Sequence, residues 1–248
     1  MKEIHLVALI PVYNHWKALH EIAEILHNHK IACIFIDDCS NENTKQHLKS
    51  VCENFKMATL VTRKENGGKG AAVMDGLTTA NNLGYTHALQ IDADAQHDLS
   101  AIPVFLQAMQ NNPEHLIAGF PVYDSSAPKS RTIARRITNF WVAIETLSMS
   151  INDSMCGFRI YPVAKCCNLI NNGFWTFRMG FDVEVFVRLH WLGVPFLFLP
   201  VNVFYYKDNV SNFRLFRDNL EISKLHTLLF FGMLFRIPML LRRKICKK

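Results

Sequence analysis

The stretch Ile91-Asp92-Ala93-Asp94-Ala95-Gln96-His97-Asp98 puts three carboxylates, an amide and an imidazole directly behind the apolar run His87-Ala88-Leu89-Gln90-Ile91. That run reads as a buried strand, so Asp92 and Asp94, two residues apart, leave its tip on the same side. Two carboxylates so placed call for a cationic partner. A turn capping the next helix would need only Asp98 and Ser100.

Three other clusters carry residues of the same kind. They are Pro11-Val12-Tyr13-Asn14, Asp37-Asp38-Cys39-Ser40 and Asn66-Gly67-Gly68-Lys69-Gly70. Each alone is ordinary, since a strand-end Asp is often a helix cap and a Gly-Gly pair usually a turn. What unites them is that each follows an apolar run.

Those runs are residues 4–10, 31–36, 57–62, 86–91 and 116–119, separated by helical patterns. The alternation predicts an α/β domain with a mostly parallel sheet covered by helices on both faces. In such a sheet the ligand site lies at the carboxyl edge, where the four clusters converge. The helix after the fourth strand is marked by Ser100 as N-cap, by Ile102, Phe105, Leu106 and Met109, and by Pro113 beyond its end. Residues 124–130 form the best linker. Residues 131–149 then place Ile133, Ile137, Phe140, Trp141, Ile144 and Leu147 at helical spacing, with Arg131, Arg135 and Arg136 near the start.

At 248 residues and 50% hydrophobic, the chain can bury a full core as one domain with an appendage. Its net charge of +6 is modest, and five of the cations fall in the last seven residues, so a basic tail is expected and no nucleic-acid partner. Seven cysteines without a CxxC pair suit a reducing compartment. The sequence enters a strand almost at once, which leaves no secretory signal, and the cytoplasmic side of a membrane is the expected location.

In order and spacing, VALIPVYN, IDDCS, ENGGKGAAVMDG and DADAQHD resemble the motifs of family 2 glycosyltransferases of the GT-A (Rossmann-like) fold, and most closely the dolichyl- and polyprenyl-phosphate sugar synthases. The resemblance covers roughly residues 4 to 205. It implies transfer of a sugar, with inversion, from a nucleotide-diphosphate donor. It also implies roles. Pro11, Tyr13 and Asn14 shape the nucleotide pocket, and Asp38 accepts hydrogen bonds from base or ribose. Lys69, on a loop kept open by Gly67, Gly68 and Gly70, holds the phosphates. Asp92, Asp94 and Gln96 hold Mg²⁺ or Mn²⁺ on the donor diphosphate, with Ala93 against the donor and His97 behind the ligands.

On the acceptor side, the segment Asp153-Ser154-Met155-Cys156-Gly157-Phe158-Arg159 resembles the family's turn before a strand that walls the acceptor, with Cys156 as packing. A hydroxyl acceptor needs a carboxylate to take its proton, and Asp182 or Glu184 is the expected base. A lipid phosphate needs no base but wants cations, for which Arg131, Arg135 and Arg178 stand. Gly119-Phe120-Pro121-Val122-Tyr123 lacks the arginine that the phosphate-acceptor branch carries past the fifth strand.

Residues 225–241 (LHTLLFFGMLFRIPMLL) are apolar but broken by Arg236 and Pro238, and are followed by Arg242, Arg243, Lys244, Lys247 and Lys248. The expected organisation is a catalytic domain over 1–212 and, over 213–248, amphipathic basic helices that lie on an anionic membrane surface. A lipid-linked or other membrane-associated acceptor follows. Two other functions compete. A nucleotidyltransferase would carry a glycine-rich loop with arginine after strand one, where this chain has Pro11-Val12-Tyr13-Asn14. An inactive nucleotide-sugar-binding module would not need every donor position filled.

Overall fold

Val7 and Leu9 of β1 (Leu6–Val12) are buried on one side of the sheet, Ala8 and Ile10 on the other, and Ile34 and Ile36 alternate with Cys33 and Phe35 in β2 (Ala32–Asp37) in the same way. Strands apolar on both faces belong in the middle of a covered sheet. The computed structural model describes residues 3–123, 129–174, 176–204 and 215–246; the side chains of 129–131, 215 and 246 lie outside the description.

The remaining strands are β3 (Ala58–Thr62), β4 (His87–Gln90), β5 (Leu116–Tyr123), β6 (Arg159–Pro162) and β7 (Phe196–Val203), in the spatial order β3-β2-β1-β4-β6-β5-β7. β6 is antiparallel to both neighbours and every other pairing is parallel. One face is covered by α1 (Leu19–Asn28), α2 (Glu42–Asn54) and α4 (Ile102–Asn111). The other is covered by α3 (Lys69–Asn82), α5 (Lys129–Thr146), α6 (Val163–Asn171), α7 (Phe181–Leu192), α8 (Leu215–Leu234) and α9 (Ile237–Cys246). The α/β layout is the one expected from the sequence.

Four details differ from expectation. β5 runs to Tyr123 rather than ending at Gly119, because β7 pairs with it from Leu116↔Phe196 through Tyr123↔Val203. The expected N-cap at Ser100 gives way to Asp98, whose side chain accepts from Ser100 N at 3.0 Å and caps a short 3₁₀ turn (Leu99–Ala101) leading into α4. In α5, Ile144 meets the core as the spacing predicts, as does Leu147 just past the helix, but Ile133, Ile137 and Phe140 are 58%, 56% and 62% exposed. The residues buried in this helix are Thr138, Val142, Glu145 and Thr146, because its first half stands off the core beside α8.

The fourth difference is the C-terminal pair, which is seated on the core rather than hung from it. Leu225, Leu229, Met233 and Leu240 are buried with α7, and Arg243 donates to the carbonyls of His190 and Trp191 at 3.1 and 2.8 Å. These contacts satisfy carbonyls at the end of α7 with a cation, as the helix dipole favours. No single helix among the described residues is long and apolar enough to cross a membrane, and α8 and α9 meet at a bend of 67°. The proposed linker at 124–128 and the boundary at 212 fall outside the described residues. The described cysteines are free thiols.

Candidate active site

Of the five non-glycine residues with left-handed backbone among those described, three lie along one edge of the sheet. Asn14, Cys39 and Ala95, with φ of 57°, 60° and 50°, lie just past the carboxyl ends of β1, β2 and β4. Such conformations cost free energy and cluster where a chain is held for function. The loops are tied together there: Asn14 N donates to Ser40 Oγ at 3.0 Å, and Asn41 N to Asn14 Oδ1 at 2.8 Å. Asp37, at the end of β2, is buried and accepts from Ser40 N, while its Oδ2 has no partner among the described residues.

Asp38 is put to a different use from the one expected. It is 2% exposed, its Oδ1 accepts from Gly67 N at 2.8 Å and lies 2.9 Å from Arg63 Nε, and its Oδ2 accepts from Gly68 N at 2.8 Å. The carboxylate that was to meet a base or ribose instead holds the glycine loop. Gly68 needs its freedom, for its φ is +90° and a Cβ there would come within 2.7 Å of Arg178 Cγ. Arg178 is thereby brought against the loop, and its guanidinium faces the buried Asp218 at 3.5 Å.

The loop delivers Lys69 to the first turn of α3. Its Nζ lies 2.9 and 3.0 Å from the two oxygens of Asp92 and 3.2 Å from Asp182 Oδ2. The other oxygen of Asp182 lies 2.9 Å from a guanidinium nitrogen of Arg159, a side chain with no exposed surface. On its far side Asp92 accepts from Gln90 Nε2 at 3.2 Å, and Gln90 Oε1 accepts from Tyr161 OH at 2.9 Å. Gly157 packs directly beneath the Asp92 carboxylate.

The electrostatics follow from this packing. Burial works against ionisation of Asp92, but Lys69, with smaller help from His97 and Arg159, outweighs it and holds the carboxyl at about 2. Burial would likewise discharge Lys69, and Asp182 and Asp92 more than offset it, so the ammonium titrates above its ordinary range. Asp94 moves the other way: burial first, then the charge of Asp92, raise it. Two neighbouring carboxylates that oppose each other's ionisation are a site a cation relieves.

Hard oxygens from Asp92, Asp94 and Gln96 fit Mg²⁺ or Mn²⁺. Among the described residues no three His, Cys, Asp or Glu side chains are grouped to enclose a metal ion unaided. Asp94 Oδ1 accepts from Gln96 N at 3.2 Å, and His97 lies behind the pair with Nε2 3.5 Å from Cys156 Sγ.

Other expected residues are placed differently. Glu184 is fully buried, with Oε2 accepting from Thr176 N and Oγ1 at 3.0 and 2.9 Å and Oε1 from Arg188 at 2.8 Å, so its carboxylate braces α7 rather than facing an acceptor. Arg135 is ion-paired with Asp153, which also accepts from Met155 N and Cys156 N and so shapes the turn ahead of Gly157. Pro11 and Tyr13 stand at the edge beside Asn14, and Ala93 is buried between the two acids. The side chain of Arg131 lies outside the description. Sequence reasoning missed Asp37, Arg63, Gln90 and Arg159; of these Arg159 had a signal, a lone cation inside the apolar run Phe158-Arg159-Ile160-Tyr161.

Beside this cluster α5 and α8 enclose a cavity of about 530 Å³, walled by Ile137, Trp141, Met155, Ile222, His226 and Phe230 among others. His226, in its wall, is paired with the buried Glu145, Nδ1 lying 2.7 Å from Oε1.

A sequence model of the family described as Glycosyl transferase family 2 matches residues 7–172. The chain belongs to that family. As a family 2 glycosyltransferase it is 27% identical over 219 residues to an uncharacterized protein of Methanocaldococcus jannaschii, covering 83% of this chain and 91% of that one. It is 26% identical over 169 residues to the UDP-N-acetylglucosamine–dolichyl-phosphate N-acetylglucosaminyltransferase of Methanococcus voltae, covering 62% and 67% of the two chains. It is 24% identical to a dolichyl-phosphate beta-glucosyltransferase of Trichomonas vaginalis, covering 75% of this chain and 61% of that one. Among solved structures, the glucosyl-3-phosphoglycerate synthase of Mycobacterium tuberculosis with Mn²⁺, UDP-glucose and phosphoglyceric acid aligns with a TM-score of 0.64 at 14% identity, over 93% of this chain and 79% of that one. A mannosyltransferase of Pyrobaculum calidifontis, in complex with GDP-mannose and Mn²⁺, aligns at 0.59 and 14%, over 95% and 65%. These likenesses show that the GT-A fold is shared.

Proposed function

We propose that this glycosyltransferase moves a sugar, with inversion at the anomeric carbon, from a nucleotide-diphosphate sugar to a lipid phosphate at a membrane surface. One observation carries the reading: Met155 walls the apolar cavity between α5 and α8, and Gly157, two residues on, packs against Asp92. A single turn thus joins a place for hydrocarbon to the polar cluster. Two of the relatives, named for dolichyl phosphate, support the same class of acceptor.

In this reading Pro11, Tyr13, Asn14 and Asp37 line the nucleotide, Asp38 shapes the loop over it, and Lys69 meets the diphosphate with Ala93 alongside. A divalent ion held by Asp92, Asp94 and Gln96 would offset the charge on the departing nucleoside diphosphate. The phosphate acceptor is favoured over a hydroxyl because no proton then has to be removed. Asp182 has both oxygens engaged by cations and Glu184 is spent on Thr176 and Arg188. Arg178, and Arg131 at the start of α5, are the cations proposed for the incoming phosphate. The exposed Phe216, Phe235 and Ile245 of the C-terminal segment would rest on the membrane.

The test is a panel of UDP-glucose, UDP-N-acetylglucosamine and GDP-mannose, scored by thermal stabilisation with and without Mn²⁺, followed by transfer to polyprenyl phosphate and to polyprenol. Metal-dependent release of nucleoside diphosphate with the phosphate acceptor alone is the expected result. Transfer to polyprenol, or release of pyrophosphate, overturns it.

A further inference from the structure

We propose that Asp182 is a positioning residue: with Arg159 it fixes the Lys69 ammonium against Asp92, and so sets the cation that the donor diphosphate meets. The inference rests on the donor-site reading above and assigns to Asp182 a different task from proton removal.

A guanidinium stays charged in any protein environment, and that of Arg159 has no exposed surface, so it requires a countercharge inside the fold. Its orientation is set independently of the site, by donation from Nε to Cys156 O at 2.8 Å and by the Phe186 ring 4.8 Å from its carbon. Asp182 supplies the countercharge with Oδ1 at 2.9 Å, which leaves Oδ2 aimed at Lys69 at 3.2 Å.

A lysine reaches its target on four flexible bonds and is otherwise free to swing into solvent. Here Nζ is held between Asp182 on one side and Asp92 on the other. Asp92 is in turn held by Gln90 and, through it, Tyr161. The restraint therefore runs from the middle strands β4 and β6 to the tip of a glycine-rich loop. A carboxylate with each oxygen on a separate cation is arranged to hold those cations. It is not arranged to take a proton from an acceptor.

The test is a double-mutant cycle on equilibrium binding of UDP and GDP in Mn²⁺, with no acceptor present. Lys69→Met is expected to weaken binding about tenfold, Asp182→Asn by about as much, and the double variant no more than Lys69→Met alone. Unchanged affinity in Asp182→Asn, as a proton acceptor would give, overturns the proposal. So does a loss of the same size in the Lys69→Met background, which would mean that Asp182 acts through the fold. Should Asp182→Asn fail to fold, Asp182→Glu keeps Arg159 paired while displacing the carboxylate by a methylene. It is expected to weaken binding only when Lys69 is present, and an equal loss without Lys69 again overturns the idea. A wild-type protein that binds neither nucleotide refutes the donor site itself, a result distinct from an additive cycle.

Discussion

Gly157 lies so close beneath Asp92 that a Cβ there would overlap the carboxylate. Asp92 has a short side chain and is pinned from both sides by Lys69 and Gln90, so it has little room to retreat. Gly157→Ala is therefore expected to push Asp92 out of register and cut sugar transfer by about a hundredfold, the cost of an ångström-scale misplacement at a reacting centre. Loss of Mn²⁺-dependent stabilisation by nucleotide, with the far-ultraviolet circular dichroism unchanged, would accompany it. Full activity in this variant would mean that Asp92 does not act from this position.

Asp94→Ala removes one oxygen donor at the tip of β4. Transfer should fall below detection while the unfolding free energy without metal stays within about 1 kcal/mol of the original. The assay is nucleoside diphosphate release with and without chelator. Activity indifferent to chelator in the unmodified protein would remove the metal from the mechanism.

Lys69→Met should change stability in a pH-dependent way. Asp92 is held at about 2 against an ordinary value of 3.8. A depressed carboxylate contributes stability that is present above its unfolded value and is lost as pH falls toward the folded one. Without Lys69, burial raises Asp92, so about 2 kcal/mol should be lost at pH 7 and less at pH 3, where the unfolded carboxyl is already largely protonated and the pH approaches the folded value. Melting curves of the metal-free protein from pH 3 to 7 measure this. An equal loss at every pH would show that the pair contributes packing alone.

Membrane binding is expected to reside in exposed apolar side chains rather than in a detachable tail. Phe216, Phe235 and Ile245 are 86%, 86% and 75% exposed, and each is worth about 2 kcal/mol if inserted into lipid. Changing all three to Ser should lower co-sedimentation with anionic vesicles by more than about a hundredfold and leave the melting temperature nearly unchanged. High salt should act more weakly, since it screens only cations such as Arg242 and Lys244. Truncation of residues 228–248, by contrast, removes Leu229, Met233 and Leu240 from the core and should unfold the protein. If the serine variant still sediments with vesicles, the membrane contact lies elsewhere.

Local pattern was enough for the alternation of strands and helices from β1 to β5. Short continuous apolar runs mark strands buried on both faces, as β1 and β2 are, and the acids and amide of DADAQ stand out because an apolar strand precedes them. Pairing was beyond its reach. Asp38 turns to the glycine loop, Asp182 to Lys69 and Arg159, and Glu184 to Thr176 and Arg188, and nothing in the residue types distinguishes these three acids beforehand. The outward apolar face of α5 is of the same kind, since the helical period reveals a stripe but not what the stripe touches. The antiparallel β6, inserted between β4 and β5, brings Gly157 under Asp92 and Arg159 behind Asp182. Periodicity reports on neighbours a turn or a strand apart, whereas partners such as Lys69 for Asp182 and Gly67 for Asp38 lie well beyond that range and meet only when the sheet closes.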